Sequence, residues 1–310
     1  MEVMEVMEVM SEAPSDPEKG ARAERFAPVV IRSAWLALIV SGVLVGATVS
    51  GRSTPVVVVA SVLWWGAWGL GLVAVLVWHP AGLVLLRCAA PASWVATIWA
   101  ANHSLGQPLW LRILGVAAAS VGVVVMASSE TGHLCVNGPA YPNERRFLLR
   151  PAAALTVGPL YLSGALVAGG VIIGPLLLAA RQWLLGALAT AAGAVFLRVL
   201  GKALYGQTRR FVVFVPAGFV LHDEFVLRDP ALFLRRTVEQ IRPAPADTDS
   251  LDLTNNASGL AIEVLLTEKS EIVRITSRST SEAGKTARFL FVPTLPGRLL
   301  DEARRRRIAV

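Results

Sequence analysis

Between Glu24 and Asp223 this chain carries only two acidic residues, Glu130 and Glu144, and most of that stretch is apolar runs broken by short loops. Acid-free apolar runs of about 20 residues are what the ~30 Å hydrocarbon core of a bilayer selects. With 310 residues, 54% of them hydrophobic, and a mean hydropathy of +0.57, the chain lies outside the usual soluble range. A membrane protein is expected. The same scarcity of acids also removes most of the chemistry such a protein could perform.

Six apolar runs are long enough to span at 1.5 Å rise per residue. They cover about 29–49, 56–78, 81–101, 109–127, 152–180 and 183–200. The third is interrupted by Arg87 and Pro91, so a re-entrant segment and a five-span count are the alternative. Charge placement favours six. Lys19, Arg22, Arg25 and Arg32 precede the first run, Arg145, Arg146 and Arg150 follow the fourth, and Arg198, Lys202, Arg209 and Arg210 close the sixth. The other side holds Arg52, Arg112 and Arg181. Six spans put all three basic clusters on one side, which the positive-inside rule assigns to the cytoplasm. Both termini are then cytoplasmic and the bilayer is a plasma membrane.

Small residues at i, i+4 (Gly42 with Gly46, Gly170 with Gly174) read as close helix-packing faces within the chain. No feature demands a homo-oligomer, and that question stays open. Trp35, Trp78, Trp110 and Trp183 fall near span ends, as an interfacial belt requires. The N-terminal tail, residues 1–25, opens with three Met-Glu-Val repeats and is expected to be disordered.

No carboxylate falls inside a proposed span, which argues against proton- or sodium-coupled transport. Catalytic residues, cofactors and metal ligands are not nominated. Glu130, His133 and Cys135 resemble a fragment of a metal site but lack further ligands nearby. Cys88 and Cys135 read as reduced thiols. His222-Asp223-Glu224 reads as a solvated turn, and Arg304 to Arg307 as a solvated or lipid-facing helix end. No basic run sits beside stacking aromatics, so nucleic acid is not an expected partner.

The most individual segment is 136–146, in which Asn-Gly-Pro and Tyr-Pro-Asn read as consecutive turns, with glycine supplying positive φ. An ordered loop ending in Glu-Arg-Arg could hold a lipid headgroup or dock the C-terminal domain. The candidate interaction residues are Arg87, Asn137, Tyr141, Glu144, Arg145 and Arg146. An ordinary topogenic loop is the plain alternative.

After Tyr205 the pattern shortens. Strand-like runs occupy 209–215, 218–222, 225–228, 234–241, 260–266, 271–275 and 287–292, separated by turn signals that include Asn255-Asn256 and 279–284. A helix is expected from Pro296 to about Ile308, with Leu299, Leu300 and Ala303 on one face. The fold class expected is a membrane α-helical bundle (26–205) followed by a small cytoplasmic β-rich domain (206–310), a PH-like barrel with a C-terminal helix. A different small sandwich is the alternative.

The segments 136–146, Gly174-Pro175-Leu176 through Trp183, Phe214-Val215-Pro216-Ala217-Gly218 to His222-Asp223, and Asp252-Leu253-Thr254 together resemble a group of uncharacterised multi-pass membrane proteins of actinobacteria. That resemblance implies topology and no activity. The functional expectation is a non-enzymatic scaffold or accessory protein that docks a protein partner or the lipid surface through residues 206–310. The alternative is a lipid or small-molecule carrier, or an envelope-lipid enzyme, using arginines as anion contacts.

Overall fold

The computed structural model describes residues 17–156, 158–275 and 280–310. The Met-Glu-Val repeats lie outside the described residues. Helix α1 (Pro17–Val49) starts within the stretch expected to be unstructured. Proline suits the first helical turn, because its missing N–H would be unpaired there anyway.

The bundle continues through α2 (Thr54–Leu76), α3 (Pro80–His103) and α4 (Leu109–Ala127). A short α5 (Ser129–Asn137) follows, and after an excursion described below come α6 (Ala153–Thr156), α7 (Pro159–Ala179) and α8 (Trp183–Thr208). Among the described residues six helices are long and apolar enough to cross a membrane, the plan of a multi-pass membrane protein. Pro91 does not break the third, which runs unbroken for 24 residues. A membrane helix tolerates an internal proline where neighbouring helices, hydroxyl side chains or local adjustment re-satisfy the backbone group it frees.

The glycine faces divide. A Cβ on Gly170 would come within 2.5 Å of the Gly193 Cα, and one on Gly174 within 2.7 Å of the Thr190 backbone nitrogen, so α7 and α8 meet backbone to backbone. Gly42 makes room for Trp64, whereas Gly46 faces open space. Trp35 is not a belt residue: it is 1% exposed in the bundle core, and its indole N–H donates to the Trp68 carbonyl at 2.9 Å. Trp110 and Trp183 are exposed, at the starts of α4 and α8.

The β-rich part has two four-stranded sheets. One is an antiparallel meander of β1 (Arg145–Leu148), β2 (Phe211–Val215), β3 (Gly218–His222) and β4 (Ala231–Leu234), in that order. The other contains β5 (Val238–Pro243), β6 (Leu251–Asp252), β7 (Ile262–Ile275) and β8 (Ser281–Phe291), ordered β5-β7-β8-β6. The sheets do not close on each other through a shared ladder. Two of the expected strands, 260–266 and 271–275, fuse into the single long β7, with a register shift between Leu265 and Ser270 marking the polar interruption. The turn expected over 279–284 is in part the start of β8. Residues 225–228 form a turn with a single bridge from Leu227 to Arg274.

Helix α9 (Pro296–Arg305) follows. Leu299, Leu300 and Ala303 bury into a core shared with Phe214, Phe219, Phe233, Phe289 and Phe291. The chain end stays attached, since the Ile241 N–H donates to the Ala309 carbonyl at 2.9 Å.

The sheet region draws its first strand from outside 206–310. β1 lies between the fourth and fifth membrane-length helices, and its register aligns Arg145 with Phe214 and Leu148 with Phe211. The chain between β1 and α6 stays on the sheet domain: Leu149 N–H donates to Arg210 O, Arg150 N–H to Val292 O and Ala153 N–H to Asn256 O.

Candidate functional site at the bundle–sheet junction

The segment 129–150 is the mechanical joint of the molecule. α5 begins directly after α4, with the Ser128 hydroxyl accepting from the Thr131 N–H. It lies across the sheet-side end of the bundle and buries Thr131, Gly132, His133, Cys135 and Val136. Leu83 of α3, Cys135 and Val136 of α5 and Leu148 of β1 form one apolar cluster with Trp78. The bundle core and the sheet core are thus bridged by a third, small core.

Asn137 holds the joint closed. Its amide oxygen accepts from the Arg146 N–H at 2.9 Å and its amide nitrogen donates to the Arg146 carbonyl at 2.8 Å. The same nitrogen donates to the His133 carbonyl at 2.8 Å. The side chain therefore behaves as a one-residue strand against the outer edge of β1, and satisfies peptide groups that a bare edge would leave unpaired. Gly138 is required by proximity, since a Cβ there would sit 1.8 Å from the Trp78 carbonyl oxygen. Its φ of −51° means that the expected positive-φ turn is not its role.

The other nominated loop residues are placed as follows. Glu144 accepts from Arg146 at 3.2 Å, and Arg146 lies over the Phe211 ring at 5.4 Å. Arg145 pairs with Glu24 of α1. Burial together with Arg298 and Arg305 nearby holds its guanidinium below the usual range, against the pull of Glu302. Tyr141 is 73% exposed.

Further contacts lock the sheet domain down. Glu130 pairs with Arg298 of α9 at 2.7 Å, Arg306 donates to the Asn143 carbonyl at 3.0 Å, and the Thr294 N–H donates to the Leu148 carbonyl at 2.8 Å. Arg306 also pairs with Glu302 and covers the Phe214 ring, so the arginine tail is partly docked and not simply a solvated end.

Sequence reasoning missed one buried pair. Arg210 and Asp223 face each other in a two-bond fork at 2.9 and 2.8 Å, both side chains 1% exposed. Arg210 also donates to the Arg150 carbonyl at 3.1 Å, tying β2, the turn after β3 and the β1–α6 connection together. The turn 222–224 is therefore no solvated cluster. Its outer members are tethered as well, His222 donating to the Arg209 carbonyl and Glu224 pairing with Arg209. No local pattern announces Arg210–Asp223, because the partners meet only through the β2–β3 hairpin.

The fragment Glu130, His133 and Cys135 splits up. Glu130 faces α9, His133 packs against Phe147, and Cys135 joins the apolar cluster. Burial, with Arg298 near, pushes the His133 imidazole down to about 4. Burial pushes the Cys135 thiol up to about 12, against the pull of Arg87 and a backbone hydrogen bond at His79. Both are neutral near pH 7, and both cysteines are free.

Arg87 stands apart from the rest. Arg32 and Arg112 donate to the carbonyls of Val75 and Ala101. The Arg87 Nε is buried without a partner, and its guanidinium makes no hydrogen bond to any described residue. An ionisable side chain within a membrane segment is costly unless it finds a partner or reaches the interface.

Comparison with protein-family models, with curated proteins and with solved structures gave no match.

Proposed function

We propose that this is a multi-pass plasma-membrane protein with both termini cytoplasmic, acting as a non-enzymatic scaffold or accessory protein. Its sheet domain is read as PH-like and as the surface that meets a protein partner or the inner leaflet. The observation that carries this reading is the strand β1, which makes the α4–α7 connection a structural part of the sheet domain. A domain stitched in at both ends keeps a fixed height and orientation at the membrane, which suits presentation of a docking face. Two four-stranded sheets followed by one amphipathic helix support the PH-like assignment. Arg145, Arg146, Arg209 and Arg210 on the sheet side support a cytoplasmic placement. The resemblance to uncharacterised actinobacterial membrane proteins agrees with this topology.

The β4 edge is open to a partner, with Leu232, Arg235 and Arg236 all exposed. The test is photo-crosslinking from the full-length chain in its membrane, with the probe at Leu232, Arg236 or Tyr141. A discrete protein or lipid adduct from the β4 edge is expected. An absence of adducts from every sheet-domain position would overturn the docking role. The second reading, a lipid- or small-molecule-handling protein, is favoured by the unpaired Arg87. The Arg145-Arg146 pair offers it less, since both side chains are engaged within the molecule.

A further inference from the structure

We infer that Arg87 is the anchor of a phosphate-binding site between α3, α5 and α7 at the sheet-side membrane interface, going beyond the docking reading of the sheet domain. The argument starts from depth. Arg87 lies seven residues after Pro80, the first residue of α3, roughly 10 Å along the helix at 1.5 Å per residue. That position alone would be inside hydrocarbon. The side chain, however, points toward the interface: its Nη2 would be only 3.3 Å from a Cβ on Gly132, and Gly132 belongs to α5, above the bundle end. Helix α7 packs on α3 next to Arg87, since a Cβ on Gly164 would lie 3.5 Å from the Cys88 sulfur. Tyr161 is in the first turn of α7, at the same end of the bundle, and 63% exposed. A long cationic stem that reaches from the span to the headgroup level is the snorkelling geometry.

Charge comes next. The Arg87 Nε is buried and donates to nothing, and among the described residues no carboxylate pairs with the guanidinium. Glu130, the acidic residue nearest in sequence to Gly132, is committed to Arg298. A guanidinium presents a planar fork that fits two oxygens of a phosphate, and such charge-assisted bonds are the strong ones. Gly132 matters because any larger residue would press on Nη2 at 3.3 Å and on Leu148 at 3.2 Å. The glycine therefore lets the guanidinium lie close against the α5 backbone, with its Nε still unpaired. The ligand chemistry is a phosphate oxyanion, supplied by a phospholipid headgroup entering beside α7 or by a free phosphate from the aqueous side.

The test uses the full-length protein in detergent. Native mass spectrometry follows exposure to phosphatidylglycerol vesicles, to vesicles of a phosphate-free galactolipid, or to inorganic phosphate, with thermal unfolding measured in parallel. Phosphatidylglycerol is expected to be retained and to raise the melting temperature, with galactolipid retained at least about tenfold less. Arg87→Gln should reduce phosphatidylglycerol retention by about tenfold, and Arg52→Gln, on the far side, should leave it unchanged. Stabilisation by inorganic phosphate, lost in Arg87→Gln, would assign the site to a free oxyanion. Equal retention of the two lipids, or of phosphatidylglycerol by wild type and Arg87→Gln, overturns the proposal. Should Arg87→Gln not fold, Arg87→Lys keeps the charge without the fork and should retain the lipid to an intermediate degree. The wild-type comparison of the two lipids decides in any case.

Discussion

Asn137 and His133 show how much of the joint rests on single side chains. Asn137 satisfies both peptide groups of Arg146 on an edge that no strand covers. Asn137→Ala would leave a partly buried donor and acceptor of Arg146 unpaired, at about 1–2 kcal/mol. Chemical unfolding of the purified protein checks this, and an unchanged midpoint would remove Asn137 from the joint. His133 adds a pH term. Its folded-state value near 4 lies below the ordinary 6.5, so the unfolded chain binds the extra proton first. Stability is therefore complete above about pH 6.5 and falls between 6.5 and 4, by up to about 3 kcal/mol. His133→Gln should flatten the melting-temperature profile across that window. Glu263 acts in the same direction at lower pH. Burial raises it, but hydrogen bonds from Ser250, Thr248 and Arg242 more than offset this and hold it below its ordinary value, so its contribution is lost as pH falls through that range. The buried Arg210–Asp223 fork is the costliest to break, and Asp223→Ala should destabilise by about 3–5 kcal/mol because it strands a guanidinium. Neither Asn137 nor Asp223 could be assigned its role from neighbours in the chain. Each acts on a residue brought to it by the sheet.

At the scale of elements, β1 and the α7–α8 hairpin are the informative pieces. A fragment beginning at residue 206 lacks β1, which leaves one edge of β2 unpaired and the Phe147 side of the core open. Expressed alone, 206–310 should aggregate, and a peptide spanning 143–150 should restore solubility and cooperative melting. A soluble, cooperatively folded 206–310 fragment would show that β1 is dispensable. In the hairpin, Gly193→Val would drive a side chain into the Gly170 carbonyl, 2.3 Å from the added Cβ. Overpacking of this kind costs about 1–3 kcal/mol, read as a lower melting temperature in detergent. The helices themselves were legible, because acid-free length is a local property. β1 was not: four residues after two consecutive turns carry too little periodicity to mark a strand whose partner lies more than sixty positions away.

For the whole molecule, the bundle and sheet domain share a covalent crossing, a small apolar core and a set of ionic latches. Glu24–Arg145 and Glu130–Arg298 each join elements distant in sequence. Opening the joint should uncover Cys135, whose buried thiol is held protonated. In a Cys88→Ala background, maleimide should label Cys135 slowly in the intact protein. Labelling should be faster by about tenfold once Glu130→Gln and Arg298→Gln remove one latch, if that latch contributes about 1.4 kcal/mol to closure. Equal rates would mean that the apolar cluster closes the joint unaided.

The sequence by itself determined the six membrane-length helices, the change to short strands after Tyr205 and the apolar face of the last helix. These follow from hydropathy and periodicity, which act over a few neighbouring residues. Only the tertiary structure decided that the loop 136–146 is a joint, that Trp35 is core, that Asp223 is buried and that Arg87 has no hydrogen-bond partner among the described residues. Each of those depends on which distant atoms fill the space around a side chain, and packing across elements sets that. The scarcity of acids from Glu24 to Asp223 joins the two levels: it marks the membrane region, and among the described residues it leaves Arg87 without a carboxylate to pair with.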